Sequence, residues 1–273
     1  MKKVILIIAV IGLFVSPLYI YGQTVNQPLN ISIYLDLSDR IINGKGESQM
    51  LRDTAIISYI IDCYVNDVVR RKIVPCNDKF QIFFYPTDGI NNPSQLSKDL
   101  TLHLKDYTTA PGEKKKKLVS MKKDMLSRIV PIYEQTIQNK QWLGSDIWGF
   151  FQKRVKTLCV EEGYRNILIV LTDGYIYHKV SKLQKGTEYT YLLSSNIDQP
   201  NMKLMSCNSG LQDLEVLFLE INPTQFAHYA KIQNIIGTWL QGMGVSNYQI
   251  EETDVTANIK PVIRKFLNKK QGF

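Results

Sequence analysis

Hydrophobic side chains in this chain fall into short apolar runs and longer helical stripes, and the two kinds alternate. Ile31–Asp36, Phe80–Tyr85, Asn166–Leu171 and Glu215–Ile221 are short runs rich in β-branched and aromatic residues, with few polar positions. Such runs describe strands covered on both faces, as in a parallel sheet. A further strand is expected at Tyr248–Glu251. Between them the apolar spacing turns helical. Met50, Ala55, Ile56, Tyr59, Ile60, Cys63, Val65 and Val68 stripe Glu47–Arg71, and Pro75 follows where that helix should have ended. Leu118, Met121, Met125, Ile129 and Ile132 stripe Glu113–Lys140, with Pro131 as a possible bend. Ile147–Val160, Thr224–Gln241 and Thr253–Leu267 read as three more helices. Two stretches depart from this alternation. Gln95–Leu104 alternates at Leu100, Leu102 and Leu104 like a short edge strand, and Tyr175–Leu193 reads as an inserted β-hairpin turning at Lys185-Gly186-Thr187. The pattern predicts an α/β fold: a doubly wound, mostly parallel sheet with helices on both faces and a β-hairpin insertion.

The amino-terminal residues do not belong to that pattern. Lys2 and Lys3 precede an apolar run from Val4 to Val15, and Gly22-Gln23 follows. A charged start, an apolar stretch of about 7–15 residues and a small residue before the cut describe a secretory signal peptide. We expect residues 1–22 to be removed, leaving 23–273 as one domain, periplasmic or secreted, with no membrane-spanning segment. A span would need about 20 apolar residues. Cys63, Cys76, Cys159 and Cys207 lack metal-site spacing; export permits disulfides, with Cys63–Cys76 the most local pairing and Cys159–Cys207 the other, but buried thiols suit the apolar helical contexts of Cys63 and Cys159 at least as well.

The formal charge of +8 includes the two leader lysines, and much of the remainder lies in Lys114–Lys117, Lys122 and Lys123. No stacking platform or nucleic-acid fingerprint accompanies that run. A solvated helix face, or attraction to an acidic envelope surface, is the expected role, and nucleic acid is not an expected partner.

Candidate chemistry gathers at strand ends. The first strand runs into Asp36, Ser38 and Arg40, and the strand Asn166–Leu171 ends in Thr172-Asp173-Gly174. In open α/β sheets, ligands bind outside the carboxyl ends of strands where the strand order reverses, so two such strands can set both carboxylates over one crevice. A third segment, Gly144-Ser145-Asp146, opens a helix.

Asp36-x-Ser38-x-Arg40, Ser145 and Asp173, in this order and on these elements, resemble the von Willebrand factor type A (VWA) domain family over roughly Ile31 to Leu267. That family's metal-ion-dependent adhesion site uses Asp-x-Ser-x-Ser from a first loop, Thr from a second and Asp from a third. The resemblance implies that Asp36, Ser38, Ser145 and Asp173 hold Mg2+ or Mn2+, and that the cation takes up an acidic group of another protein. Ser145 keeps the hydroxyl of the family's Thr. Arg40 replaces the second Ser and has no lone pair to give. Either its guanidinium pairs with Asp36 or Asp173 in place of a cation, or it turns away and Asp39 or Asp146 supplies the missing oxygen.

The expected function is thus a non-enzymatic, exported protein-interaction module. Two alternatives stand beside it: a phosphoester hydrolase using Asp36, and a metal-free structural domain with Arg40 occupying the site. The first lacks a second aspartate at position 38, and no Gly-x-Ser-x-Gly elbow occurs. Of the three histidines, His103, His178 and His228, only His178 falls close to the third loop in sequence. With Tyr175, Tyr177, Tyr189 and Tyr191 it forms either a recognition rim or packing for the hairpin. The leader has a direct test. In an export-competent host the recovered chain should begin at Gln23 by intact-mass measurement, and a chain that retains Met1 overturns the cleavage.

Overall fold

The computed structural model describes residues 27–42, 48–85, 87, 92–139, 144–207, 210–252 and 255–269; the expected leader, 1–22, lies outside the described residues. Six strands form the main sheet: β1 (Leu29–Leu35), β2 (Lys79–Phe83), β3 (Thr101–His103), β4 (Arg165–Leu171), β5 (Leu214–Ile221) and β6 (Asn247–Glu252). Their spatial order is β6-β5-β4-β1-β2-β3, and β3 alone runs antiparallel, at one edge. The helices are α1 (Gln49–Arg70), α2 (Pro93–Asp99), α3 (Pro111–Asn139), α4 (Ile147–Lys153), α5 (Val155–Cys159), α6 (His228–Gly242) and α7 (Thr256–Asn268). The molecule is therefore a mostly parallel α/β sheet wrapped by helices, as the alternating pattern requires.

Period-two alternation along the buried strands sorts their side chains to two cores. Ile31, Ile33, Leu35, Ile167, Ile169 and Leu171 meet the apolar stripes of α1, α3 and α7 on one face. Tyr34, Leu168, Val170, Val216 and Phe218 meet α4, α5 and α6 on the other. On α1, Ile56, Ile57, Ile60, Ile61, Tyr64 and Val68 form one inward stripe, and the Ser48 hydroxyl caps its first turn by accepting from Leu51 N at 3.4 Å. Each such side chain contributes about 1.5–3 kcal/mol on complete burial.

Several elements differ from the pattern-based expectation for local reasons. The short edge strand expected within Gln95–Leu104 is Thr101–His103, but the residues before it form α2, because Pro93 sits at the first helical position, where its fixed φ suits a helix. The helix expected over Ile147–Val160 divides into α4 and α5 at Arg154, whose φ of −128° is outside the helical range. α3 runs through Pro131. The hairpin expected over Tyr175–Leu193 is reduced to Gln184–Lys185 against Glu188–Tyr189, turning at Gly186 with φ +61°. Tyr177–His178 leave it to pair with Gly144–Ser145, and Glu188–Tyr189 gain a parallel partner in Lys203–Leu204.

The basic run is only partly a solvated face. Lys114 is buried, and its ammonium donates to the carbonyls of Val74 and Cys76 at 3.0 and 2.9 Å, capping the chain end beyond α1. Lys116 pairs with Glu113, and Lys122 pairs with Asp62 across to α1. All four cysteines are free thiols, three of them buried. No helix among the described residues is long and apolar enough to cross a membrane.

At the amino-terminal end of β4, Arg165 makes a two-point pair with Glu215, at 2.6 and 2.9 Å, and donates to the Leu267 and Phe266 carbonyls at 2.5 and 3.0 Å. One guanidinium thus joins two strands to the last turn of α7. Arg165→Ala would leave the buried Glu215 carboxylate uncompensated and those carbonyls unbonded. We expect a loss of about 3–5 kcal/mol in urea unfolding, and a change below about 1 kcal/mol would show that α7 is held by packing alone.

Candidate functional site

Strand register sets the site. Leu35 of β1 lies opposite Leu171 of β4, so these two strands stop at one level, while β5 passes Leu219 opposite Leu171 and runs on to Ile221. Backbone bonds extend the alignment into the loops: Asp36 N donates to Leu171 O at 3.0 Å, Thr172 N to Leu219 O at 3.1 Å and Asn222 N to Asp173 O at 2.9 Å. The strand order reverses between β1 and β4, and the connections leaving their carboxyl ends diverge there. A crevice of about 440 Å³ opens at this point, with Ser38, Asp39, Arg40, Ser145 and Asp173 in its lining.

Asp36 lies beneath that crevice with no exposed surface. Its Oδ1 accepts from Ser38 N at 2.9 Å and its Oδ2 from Thr172 Oγ1 at 2.7 Å, so the first and third loops share this carboxylate. A 3-10 turn over Asp39–Ile41 then sends Arg40 back beneath the loop. Arg40 Nε donates to the Asp36 carbonyl at 2.9 Å, and Nη2 donates to Leu171 O at 3.1 Å and to Asp53 Oδ2 at 2.6 Å. Its distance to the Asp36 carboxylate is longer, 3.9 Å. Burial alone would lower the guanidinium's pKa; Asp53, and then Asp36, hold it above the ordinary value, so the charge is permanent.

The second loop depends on one glycine. Gly144 has φ +90°, and a Cβ there would stand 2.0 Å from the Tyr177 carbonyl oxygen, so no side chain fits while this pairing holds. Pairing of Gly144–Ser145 with Tyr177–His178 brings Ser145 to the crevice wall. Tyr34 uses its phenolic proton on Tyr85 O, at 2.8 Å, so its 2.9 Å contact with Ser145 Oγ has Ser145 as donor. The lone pairs of Ser145 are then left for a ligand. Asp146 does not line the crevice. Its Oδ1 caps α4 through Gly149 N at 2.9 Å and accepts from Ser181 Oγ at 2.8 Å, and its Oδ2 lies 3.7 Å from His178 Nδ1.

In the third loop, Asp173 is half-buried and accepts from Tyr175 N at 3.0 Å. Burial, reinforced by the charge of Asp36, pushes its carboxyl pKa up from 3.8 to about 7. Arg40 offsets this only in part. Gly174, at φ +94°, makes the turn directly beneath the side chains of Ile221 and Ile232.

The tyrosine-rich segment divides. Tyr175 and Tyr177 line the crevice, whereas Tyr189, Tyr191 and His178 are buried outside it and form no rim. Tyr189 and Tyr191 pack edge to face at 5.3 Å, and Lys182 lies 4.9 Å above the Tyr191 ring. The Tyr175 hydroxyl joins Thr224 Oγ1 at 3.0 Å and His228 Nδ1 at 3.3 Å, tying the loop after β5 to the third site loop.

Sequence reasoning missed the layer under the crevice. Asp53 accepts from Tyr133 at 2.6 Å as well as from Arg40, and its Oδ1 accepts from Gln49 at 2.9 Å. Glu220, at the end of β5 and at φ +71°, accepts two bonds from Arg52, at 2.9 and 3.0 Å, and one from Gln49 at 3.1 Å. A signal was present for both. Gln49 and Asp53 continue the inward spacing of Ile56, Ile57 and Ile60, and Glu220 interrupts an apolar strand at its carboxyl end.

The sequence matches no family model and no curated protein. Among solved structures, it is similar to an aerotolerance-related membrane protein from Bacteroides fragilis NCTC 9343 carrying multiple mutations to serines. There 12% of residues are identical over 89% of this chain and 100% of that one, with a TM-score of 0.39. It is also similar to the pilus adhesin SpaC from Lactobacillus rhamnosus GG, with 13% identity over 89% of this chain, 31% of that one and a TM-score of 0.43. Likeness of this degree carries no argument about function.

Asp173 makes a pH prediction. A carboxyl whose folded pKa is raised from 3.8 to about 7 stabilises the fold in acid, and that contribution is lost as pH rises through about 7. In excess chelator the melting temperature should fall between pH 5 and pH 8, and Asp173→Asn should remove that part of the fall. Equal pH slopes in the two proteins would overturn the assignment.

Proposed function

We propose that this protein is an exported interaction module whose crevice holds a divalent cation and, through it, an acidic group of a protein partner. The observation that carries the reading is the meeting of Ser38, Ser145 and Asp173, from three separate loops, on one crevice above Asp36. The chemistry of the donors fits the group. They are hydroxyl and carboxylate oxygens, the ligands Mg2+ and Mn2+ prefer. Burial and the charge of Asp36 disfavour the ionised form of Asp173, and a cation held between the two carboxylates would relieve that repulsion. Among the described residues no three His, Cys, Asp or Glu side chains gather into a metal cage, so a cation here would rest on Ser38 and Ser145 as much as on carboxylates. When bound, it supplies an open coordination position for a partner's carboxylate. Asp36 would orient the Ser38 backbone and Thr172 beneath it, and Asp39 lies on the crevice lining as an accessory oxygen. The capping role of Asp146 argues against its use as a ligand.

The reading is non-enzymatic. A phosphoester hydrolase using Asp36 needs an accessible nucleophilic oxygen, and both oxygens of Asp36 are buried and hydrogen-bonded. One observation favours a second reading: the Arg40 guanidinium reaches the crevice lining, where its charge can receive a partner's carboxylate without a metal.

Calorimetric titration of the leaderless chain with Mg2+, then Mn2+, separates the two. Saturable binding that disappears in Asp173→Ala is the expected result. No binding in the wild type, with partner affinity insensitive to chelator and lost in Arg40→Ala, would establish the metal-free reading instead. Phosphatase activity abolished by Asp36→Asn would overturn both.

A further inference from the structure

Arg40 stands where the resembled motif has a serine, and a lone guanidinium beside Asp36 would oppose a divalent cation. Its geometry directs much of that charge elsewhere. Nη2 is 2.6 Å from Asp53 Oδ2, whereas Nε lies 3.9 Å from the Asp36 carboxylate and bonds the Asp36 carbonyl instead. The Arg40 and Asp53 side chains are 3% and 0% exposed, so water does not screen the pair. Asp53 is itself held in place by the Tyr133 hydroxyl at 2.6 Å and the Gln49 amide at 2.9 Å. The neighbouring carboxylate, Glu220, is cancelled by its two-point pair with Arg52. With Arg40 set against Asp53 and Arg52 against Glu220, the enclosed negative groups left to the crevice are the buried Asp36 and the half-buried Asp173, beside the exposed Asp39 on the lining. A divalent cation needs carboxylates left free in this way.

We infer that Asp53 is a positioning residue for the cation: it takes up the charge of Arg40 and so leaves the carboxylates at the crevice free for a divalent ion. The inference rests on the cation reading above. Asp53 is absent from the crevice lining, so it acts through Arg40 and not as a ligand. The arrangement also accounts for a chain that keeps Asp36, Ser38 and Asp173 of the resembled set while placing a cationic side chain at position 40.

A double-mutant cycle read by calorimetry with Mg2+ and Mn2+ tests this, with circular dichroism confirming the fold of each variant. Asp53→Asn should weaken binding by about tenfold or more, because Arg40 then faces Asp36 and Asp173 alone. Arg40→Gln should tighten it. The double variant, Arg40→Gln with Asp53→Asn, has the wild-type net charge again and should bind within about threefold of wild type. Wild-type affinity in Asp53→Asn, or a folded double variant no better than Asp53→Asn, overturns the inference and leaves the cation reading standing. If Asp53→Asn fails to fold because Arg40 has lost its counter-ion, the double variant decides: binding near wild type supports the inference and lost binding overturns it. A wild-type protein that binds neither ion overturns the cation reading itself, and the inference with it.

Discussion

A guanidinium removed from water costs several kilocalories per mole unless it is paired and hydrogen-bonded, and the carboxyl end of this sheet is built around one that is. Arg40 bonds the carbonyls of Asp36 and Leu171, which end β1 and β4, and the carboxylate of Asp53 in α1. Tyr133 brings α3 onto the same carboxylate. Two strands and two helices therefore meet on a single charge. Because breaking one partner strands another in a low-dielectric interior, the four elements are held in one arrangement.

That constraint determines which groups reach the crevice. With Arg40 folded beneath the first loop, Ser38 and Asp39 line the cavity while Asp36 is enclosed below, its two oxygens committed to Ser38 N and Thr172 Oγ1. The second loop is placed by different means, a close backbone pairing that only Gly144 permits and a phenol, Tyr34 of β1, whose hydroxyl meets Ser145. The third loop is fixed by register, since Leu171 ends level with both Leu35 and Leu219. Three unlike devices thus bring oxygen donors to one place. The carboxyl of Asp173, pushed up to about 7 by burial and by Asp36, marks where negative charge is least well accommodated.

Much of the scaffold was legible because it follows from periodicity. A buried parallel strand needs an apolar side chain on each face, and Ile167–Leu171 announces that without context. A covering helix needs one apolar stripe, and Ile56, Ile60 and Val68 supply it. The aspartates at the ends of β1 and β4 were legible for a topological reason, since strand ends at a switch point are where α/β sheets collect ligands. The Tyr175–Leu193 segment was read less well. Its alternation suggested a local hairpin, yet Tyr177–His178 pair with Gly144–Ser145, some thirty residues away in sequence, and no local pattern encodes such a partner.

The sequence by itself determined the class of fold, the approximate extent of most large elements and the placing of Asp36 and Asp173 at strand ends, because hydrophobic period and strand-end chemistry are local properties; the candidate roles of Ser38 and Ser145 came only with the resemblance. Tertiary structure decided where the charges go. It paired Arg40 with Asp53, matched Arg52 to Glu220, assigned Asp146 to a helix cap, buried Lys114 against two carbonyls and removed Tyr189 and Tyr191 from the crevice. A charge is stabilised by whatever lies within a few ångströms of it after folding, and those neighbours come from residues that spacing along the chain does not bring together.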